Sequence, residues 1–250
     1  MKYFDLFGIR LAATTYEELT ENVFDKINNN PTPQGGIAAL AVHGLIEGYN
    51  NDSLKQQLNS LEWVVPDGQP VRWALNFFNN ANLQERVYGP SLMLHLIRRA
   101  ADRQVPVFFY GSKFYTLQLL QKNLLKQFPS LIIAGIQEDR FRESTDEEKI
   151  KDQEIIKQSG AKLVFVGRGC PRQERWVAEN KNQIPAVLVA VGAAFDFHAG
   201  TVKQAPAFLQ DRGLEWLFRL IQEPGRLWKR YLITNTQFIL LFLRKLLLRY

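Results

Sequence analysis

The chain has 250 residues, 46% of them hydrophobic and 22% charged, which excludes a disordered protein and suffices for one sizeable core. Its single cysteine, Cys170, excludes an internal disulfide and fits a reducing compartment. The formal net charge is +6; we expect neither a secretion signal nor a membrane-spanning helix, because Asp5 interrupts the N-terminal segment and no long uncharged apolar stretch occurs.

Two kinds of local pattern alternate along the chain. Short apolar runs rich in Val, Ile and Phe are predicted strands, namely Ile37–His43, Glu62–Pro66, Val107–Gly111, Leu131–Gly135, Leu163–Gly167 and Val187–Gly192. Capping boxes at Thr15–Glu18 and Ser144–Glu147 each predict the start of a helix. Two further helices are predicted over Leu92–Arg103 and Tyr115–Phe128. This alternation predicts an α/β fold with a mostly parallel sheet that helices cover on both faces.

The C-terminal segment differs from the rest of the chain. Residues 212–250 contain eight basic and two acidic side chains, which accounts for the whole charge of +6 and leaves residues 1–211 neutral. Apolar and basic residues interleave there, with a break at Pro224-Gly225; this is typical of a helix in a membrane interface, and helices packed on the core are the alternative. We predict a core domain over 1–211 and a basic amphipathic appendage over 212–250 that contacts an anionic partner.

The first candidate for chemistry is Asp67, which follows the predicted strand Glu62–Pro66. Ligands of parallel sheets bind beyond the carboxyl ends of the strands, so this carboxylate is placed to act as a general base toward a sugar hydroxyl. We expect Gly68 to allow a sharp turn at this point. The alternative is that Asp67 caps a helix that begins near Val71.

A glycine-rich turn follows the predicted strand Leu163–Gly167 and leads into a helix. Backbone N–H groups at Gly167, Gly169 and the helix start can hold an anion, and Gln173 can hydrogen-bond a base or a sugar. The turn is neither a P-loop nor a dinucleotide fingerprint, because the required spacings are missing. Cys170 has no evident histidine partner, which favours a structural role over that of a nucleophile.

Four further residues are candidate ligand contacts. Asp196 suits a ribose or sugar hydroxyl, with a hydrogen bond inside the turn as the alternative. Arg86 suits a phosphate or carboxylate, with an ordinary surface position as the alternative. Gly111 and His43 each end a predicted strand, and a structural role is the alternative for His43. No metal site is predicted, because the three histidines are far apart and no Asp-x-Asp occurs.

Six sequence blocks, taken together and in order, resemble the WecG/TagA/CpsF glycosyltransferase family. They are PDGQPVRWA, ERVYGP, VFFYGS, VFVGRGCPRQERW, VGAAFDFHAGTVKQAP and GLEWLFRLIQEPGRLWKRYL. They cover roughly residues 4–235, and the last three are long and specific. The resemblance implies a Rossmann-like core and an inverting, metal-independent transfer of an N-acetylhexosamine, typically N-acetylmannosamine. The implied donor is a UDP-sugar and the implied acceptor is an undecaprenyl-diphosphate-linked N-acetylglucosamine.

The resemblance also implies roles for individual residues. Asp67 matches the family's proposed base, Arg86 its arginine before a turn, and Gln173 the glutamine of its P-x-Q-E motif. The appendage is implied to contact the membrane and to supply arginines to the diphosphate, which here are Arg219, Arg226 and Arg230. The expected setting is cell-surface polysaccharide synthesis at the inner face of the cytoplasmic membrane, with no cofactor besides the donor substrate; a homo-oligomer is compatible with the sequence.

One departure from the family pattern leaves the donor sugar and the acceptor open. Many members carry Thr-x-Asn at the end of the first core strand, where this chain has Ala39 and Ala41, with His43 shortly after.

Two other classes of protein fit the sequence less well. A nicotinamide-dependent oxidoreductase needs a glycine fingerprint that Gly44–Gly48 does not supply. A non-catalytic nucleic-acid or membrane module depends on the tail alone, and no nucleic-acid partner is expected.

Overall fold

Residues 1–248, the part of the chain that the computed structural model describes, contain two β-sheets. The strands are β1 (Lys2–Leu6), β2 (Ile9–Ala13), β3 (Gly35–Leu40), β4 (Trp63–Pro66), β5 (Val107–Gly111), β6 (Ile133–Gln137), β7 (Leu163–Gly167) and β8 (Val187–Ala190). β1 and β2 form an antiparallel hairpin, and the other six form a parallel sheet in the order β4-β3-β8-β7-β5-β6. The α/β prediction is therefore confirmed.

Helices cover the parallel sheet and follow its strands along the chain. They are α1 (Tyr16–Asn28), α2 (Val42–Asn50), α3 (Asp52–Ser60), α4 (Gln69–Asn79), α5 (Gly89–Asp102), α6 (Phe114–Gln127), α7 (Asp146–Gln158), α8 (Arg172–Asn180), α9 (Ala194–Ala199), α10 (Ala207–Asp211), α11 (Glu215–Gln222) and α12 (Pro224–Leu247). Alternate side chains of β5 enter different cores: Phe109 belongs to one apolar cluster, and Phe108 and Tyr110 belong to the other. Both faces are buried, which explains why the strands are continuous apolar runs.

Several predicted boundaries are wrong by a few residues. The predicted strand Ile37–His43 ends at Leu40, and the backbone turns into α2 at Val42, so His43 lies in the first turn of a helix. Gly44 allows the first turn of α2 to pack closely against Leu40, because a Cβ at position 44 would collide with the Leu40 side chain.

Other boundaries shift because local hydrogen bonds select a neighbouring residue. The second capping box is formed by Thr145 and Glu148 instead of Ser144 and Glu147, since the Thr145 side chain and the Glu148 carboxylate bond each other's backbone amides. The edge strand β6 begins two residues later than predicted, at Ile133. In the tail, the predicted break at Pro224-Gly225 is confirmed, because α11 ends at Gln222 and Pro224 begins α12, a position that suits proline since the first turn has no N–H partner to lose.

Both helices of the appendage, α11 and α12, are described up to residue 248, whereas Arg249 and Tyr250 lie outside the described residues. One side of α12 packs on the core: Phe238 contacts Phe7 with ring centroids 5.8 Å apart, and Phe242 contacts Phe78 at 4.7 Å. The side-chain amides of Asn50 and Gln237 exchange two hydrogen bonds. Much of the rest of α12 exposes apolar side chains, namely Leu232, Ile233, Ile239, Leu240, Leu243 and Leu247. Within residues 1–248, no helix is both long and apolar enough to cross a membrane.

Replacing Phe238 with alanine should weaken the docking of α12 on the core. The side chain is almost fully buried, so we expect a loss of about 3 kcal/mol in the free energy of opening, measured by amide exchange of α12. The matched control is Ile233→Ala on the same helix, where the side chain is half exposed and the change should stay within about 0.5 kcal/mol. Equal losses in both variants would show that α12 is not held by this contact.

Candidate active site

A cavity of about 560 Å³ lies at the carboxyl ends of β3, β4, β7 and β8. On the core side it is lined by residues that follow these strands, including Ala41, Asp67, Arg168 and Val191. The appendage forms another wall, through Glu215, Trp216, Arg219, Arg226, Arg230 and Tyr231. The volume is typical of a small-molecule site, and the position is the one expected for an open parallel sheet. The core and the appendage therefore build the site together.

Asp67 is held in place by backbone hydrogen bonds from two directions. Its own N–H donates to the Leu40 carbonyl at 3.2 Å, and its Oδ1 accepts from the Gly89 N–H at 2.8 Å. The carboxylate does not cap α4, because no side chain bonds the amides at the start of that helix. Gly68 adopts a φ of −87°, which any residue can take. The backbone conformation at this position therefore does not require glycine. Oδ2 accepts no hydrogen bond from residues 1–248.

The carboxyl group of Asp67 is a weaker acid than an ordinary aspartate. Burial raises its pKa to about 6; the nearby Arg86 guanidinium opposes this rise, and the Glu215 carboxylate reinforces it. The group is therefore ionised at neutral pH and is a stronger base than an exposed aspartate. A pKa close to the working pH is the property that general-base catalysis requires.

Arg86 joins the core to the appendage. Its Nη2 donates to Glu215 Oε2 at 2.7 Å and to Gln210 Oε1 at 3.1 Å, and the Tyr88 hydroxyl donates to Glu215 Oε1 at 2.6 Å. The guanidinium lies 4.1 Å from the centre of the Tyr88 ring. Arg86 and Glu215 are nearly buried, so this is a strong structural contact. Arg86 also lines the cavity, where the sequence predicts a phosphate or carboxylate ligand.

Two buried side-chain oxygens lie at the start of α8, in residues that line the cavity. Gln173 donates through Nε2 to Glu174 Oε1 at 2.9 Å, which leaves Gln173 Oε1 and Glu174 Oε2 buried and without a hydrogen-bond partner in the described part of the chain. The Cys170 thiol approaches the Glu174 carboxyl, but a thiol is a weak donor. Burial raises the pKa of Cys170, which is the opposite of what a nucleophile needs.

Cationic side chains of the appendage reach the cavity. Arg219 lies 5.6 Å from the centre of the Phe197 ring, and its buried Nε has no hydrogen-bond partner within residues 1–248. Arg226 is paired with Glu223 in the same segment. In the described residues, Arg219 and Arg230 have no acidic partner at ion-pair distance. Unpaired guanidinium groups on one wall favour an anionic ligand.

Comparison with known proteins identifies the chain. The model of the "Glycosyl transferase WecG/TagA/CpsF family" matches residues 4–250. The chain belongs to this family. An N-acetylglucosaminyldiphosphoundecaprenol N-acetyl-beta-D-mannosaminyltransferase from Bacillus spizizenii is 32% identical over 187 residues, which are 74% of this chain and 70% of that protein. The resemblance predicted from the sequence blocks is confirmed, and the protein is a glycosyltransferase.

The remaining candidate residues of this glycosyltransferase lie in or beside the cavity. His43 lines it; burial, together with the charge of Arg230, lowers its pKa to about 4, so the ring is neutral at neutral pH. Asp196 also lines it, and its backbone carbonyl accepts the Thr201 hydroxyl at 3.1 Å, so a cavity position and a turn hydrogen bond coexist. Burial raises the pKa of Asp196, and the Arg226 charge opposes this rise.

Three candidate glycines, at or shortly after the ends of β5 and β7, have different surroundings. Gly167 and Gly169 line the cavity, and Gly169 has a φ of +76°, which glycine adopts without strain. Gly111 packs against Gly167, where a Cβ would meet the neighbouring backbone, and the residue after it, Ser112, lines the cavity. Gly111 is thus placed to support the wall of the glycosyltransferase site.

Sequence analysis missed several residues of the site, among them Tyr88, Ser112, Glu174 and Glu215, which line the cavity as well. All four stand inside the family blocks, and Glu215 is one of two acidic residues in a strongly basic segment, a signal that it pairs with a cation. Ala39 and Ala41 both line the cavity without offering a polar side chain. Within residues 1–248, no cluster of three or more His, Cys, Asp or Glu side chains could hold a metal ion.

Proposed function

We propose that the protein transfers an N-acetylhexosamine, such as N-acetylmannosamine, from a UDP-sugar to an undecaprenyl-diphosphate-linked N-acetylglucosamine in cell-surface polysaccharide synthesis. The transfer inverts the anomeric centre and uses no metal ion. The name of the Bacillus spizizenii relative supports the sugar and the acceptor. The observation that carries the proposal is one cavity lined by the Asp67 carboxylate and by three arginines, Arg219, Arg226 and Arg230.

The chemistry begins at Asp67. Because its Oδ1 is held by the Gly89 amide, Oδ2 takes the proton as the acceptor hydroxyl oxygen bonds to the anomeric carbon of the donor. The bond between that carbon and the phosphate oxygen breaks, and its electron pair leaves with UDP. Attack on the face opposite the leaving group inverts the anomeric configuration.

Arg219 of the appendage stabilises the leaving group in this scheme. As the sugar–phosphate bond breaks, negative charge grows on the diphosphate of UDP, and a preorganised guanidinium group lowers the energy of that state. Arg219 suits this role because no carboxylate in the described residues neutralises it at ion-pair distance. Gln173 Oε1 suits an N–H or O–H group of the uracil or the sugar, since it accepts no hydrogen bond within residues 1–248.

The exposed side of the appendage supports a position at the inner face of the cytoplasmic membrane. Leu232, Leu240 and Leu243 are exposed on α12, and so are the basic residues Lys229 and Arg244. Apolar burial combined with attraction to anionic headgroups is what holds an interfacial helix. A peripheral location gives the site access to a lipid-linked acceptor.

The proposal is tested by incubating the full-length protein with a panel of UDP-sugars and a lipid-diphosphate-linked N-acetylglucosamine. We expect one disaccharide product with the inverted anomeric configuration, identified by mass spectrometry and NMR. The rate should be unchanged after treatment with a chelator. Absence of product with every N-acetylhexosamine donor would contradict the proposed function, and product with another sugar would correct the donor.

The acidic limb of the pH–activity profile should reflect the pKa of Asp67, and Glu215 should shift its position. Asp67 must be ionised to accept a proton, so kcat/KM should fall about tenfold per pH unit below about 6 and be level above it. Glu215→Gln removes a negative charge that raises the pKa of Asp67, so the acidic limb should move to lower pH. Glu154→Gln, an exposed residue paired with Lys157, is the control and should leave the limb in place. An unmoved limb in Glu215→Gln would contradict the electrostatic assignment.

A further inference from the structure

The lining of the cavity changes from charged to apolar along α12. Arg226 and Arg230 come first; Tyr231 and Asn235 follow, and Phe238 and Ile239 line the far end. An α-helix rises 1.5 Å per residue, so the nine steps from Arg230 to Ile239 span roughly 14 Å. A ligand that lies along this wall therefore needs an anionic end and an apolar end separated by about that length.

The apolar end of the cavity reaches the protein surface. Ile239 lines the cavity and is also 56% exposed, which places this side chain at the border between the cavity and the solvent. On the core side, Pro70 at the start of α4 lines the cavity, and Trp73, one turn further, is 44% exposed. The two helices meet beyond this point, where the rings of Phe77 and Phe242 lie 5.5 Å apart. We call this apolar end of the cavity, lined by Phe238 and Ile239 on α12, the apolar mouth.

We propose that the apolar mouth is a binding subsite for the first isoprenoid units of the lipid-linked acceptor, whose diphosphate lies beside Arg226 and Arg230. This inference rests on the proposed function, which supplies an acceptor with a diphosphate between its sugar and its hydrocarbon chain. Such a molecule has the order of charge and hydrophobicity that the α12 wall presents. The nucleotide and sugar of the donor are polar, so they gain little from Phe238 and Ile239.

The apolar mouth differs from the membrane-facing surface of the same helix. Ile239 and Leu240 are neighbours on α12 with similar exposure, 56% and 61%, yet Ile239 lines the cavity and Leu240 does not. Contact with a lipid surface should use both side chains, whereas a chain leaving the active site should use Ile239. The pair is therefore a matched test of the two occupants.

The experiment compares Ile239→Asp and Leu240→Asp in detergent solution, where no bilayer is present. Each full-length variant is assayed with two acceptors that share the same sugar diphosphate, one with a long isoprenoid chain and one with a short alkyl chain. We expect Ile239→Asp to raise KM for the long-chain acceptor by about tenfold and to leave KM for the short-chain acceptor unchanged. Leu240→Asp should change neither KM.

Three outcomes decide the proposal. Equal effects of the two variants, or equal KM values of the wild type for the two acceptors, would overturn it and assign these side chains to the membrane surface. Turnover of neither acceptor by the wild type would instead contradict the proposed function. Circular dichroism checks folding; if Ile239→Asp is unfolded, Ile239→Ala against Leu240→Ala gives the same comparison, with a smaller expected rise of a few-fold in KM for the long-chain acceptor.

Discussion

Replacing Asp67 with asparagine should lower kcat by about 10²–10⁴-fold, the usual contribution of a general base. Asparagine keeps an oxygen that can accept the Gly89 N–H, so the loop after β4 should retain its conformation. The amide cannot take the proton of the acceptor hydroxyl, and the loss should therefore fall on kcat with little change in donor KM. Single-turnover kinetics with saturating donor separates these quantities.

Two controls make the Asp67 result interpretable. UDP affinity, measured by calorimetry, should stay within a few-fold of the wild type, which shows that the cavity is intact. The acidic limb of the pH profile should disappear in any residual activity, since the group that titrates at about 6 is gone. A variant with near-wild-type kcat would remove Asp67 from the role of base and leave the fold and the family unaffected.

Replacing Arg219 with alanine should lower kcat by about 10²–10³-fold, as loss of one preorganised donor to a developing charge does. Arg219 lines the cavity, its buried Nε has no hydrogen-bond partner in residues 1–248, and its charge acts on both Asp67 and Asp196. Arg219→Lys should recover part of the rate, because a point charge replaces a planar donor.

The matched control for Arg219 is Arg212→Ala. Arg212 belongs to the same basic segment but is exposed and donates to the Phe208 carbonyl at 3.1 Å. It should leave kcat unchanged while removing the same charge from the appendage. If the two variants lose activity equally, net charge is what matters, through attraction of the anionic substrates or the membrane, and Arg219 has no specific place in the chemistry.

The sheet and the position of Asp67 at its edge could be predicted from sequence because their signals are local. Runs of Val, Ile and Phe that are buried on both faces show no competing periodicity, and a carboxylate that follows such a run must lie at the ligand-binding edge. The end of β3 could not be predicted, since the apolar run continues through Ala41 and Val42 while the backbone turns. At these two positions the amino-acid sequence does not distinguish a strand residue from the first turn of a buried helix.

The environment of Asp67 could not be predicted, because it is made by contacts between residues far apart in the sequence. Arg86 and Glu215 are 129 residues apart, and their pairing depends on how the appendage lies across the sheet edge. Sequence suggests Arg86 as a ligand for phosphate, which is reasonable for an unpaired arginine. The structure shows that it also has a protein partner. For the tail, the packed-helix alternative describes the side of α12 that contacts the core, while other apolar side chains of the same helix are exposed.

The ion pair between Arg86 and Glu215 has a kinetic consequence for substrate traffic. Lifting the appendage from the core would separate this pair and also expose the buried Phe238 side chain, whose packing alone contributes about 3 kcal/mol, so the lifted state would be populated at roughly one molecule in 10² or fewer. If substrate and product exchanged only when the appendage lifts, the rate of exchange would be limited by the population of that rare state. The apolar mouth beside Ile239 offers a route that does not require the appendage to lift, so exchange through it does not depend on that equilibrium.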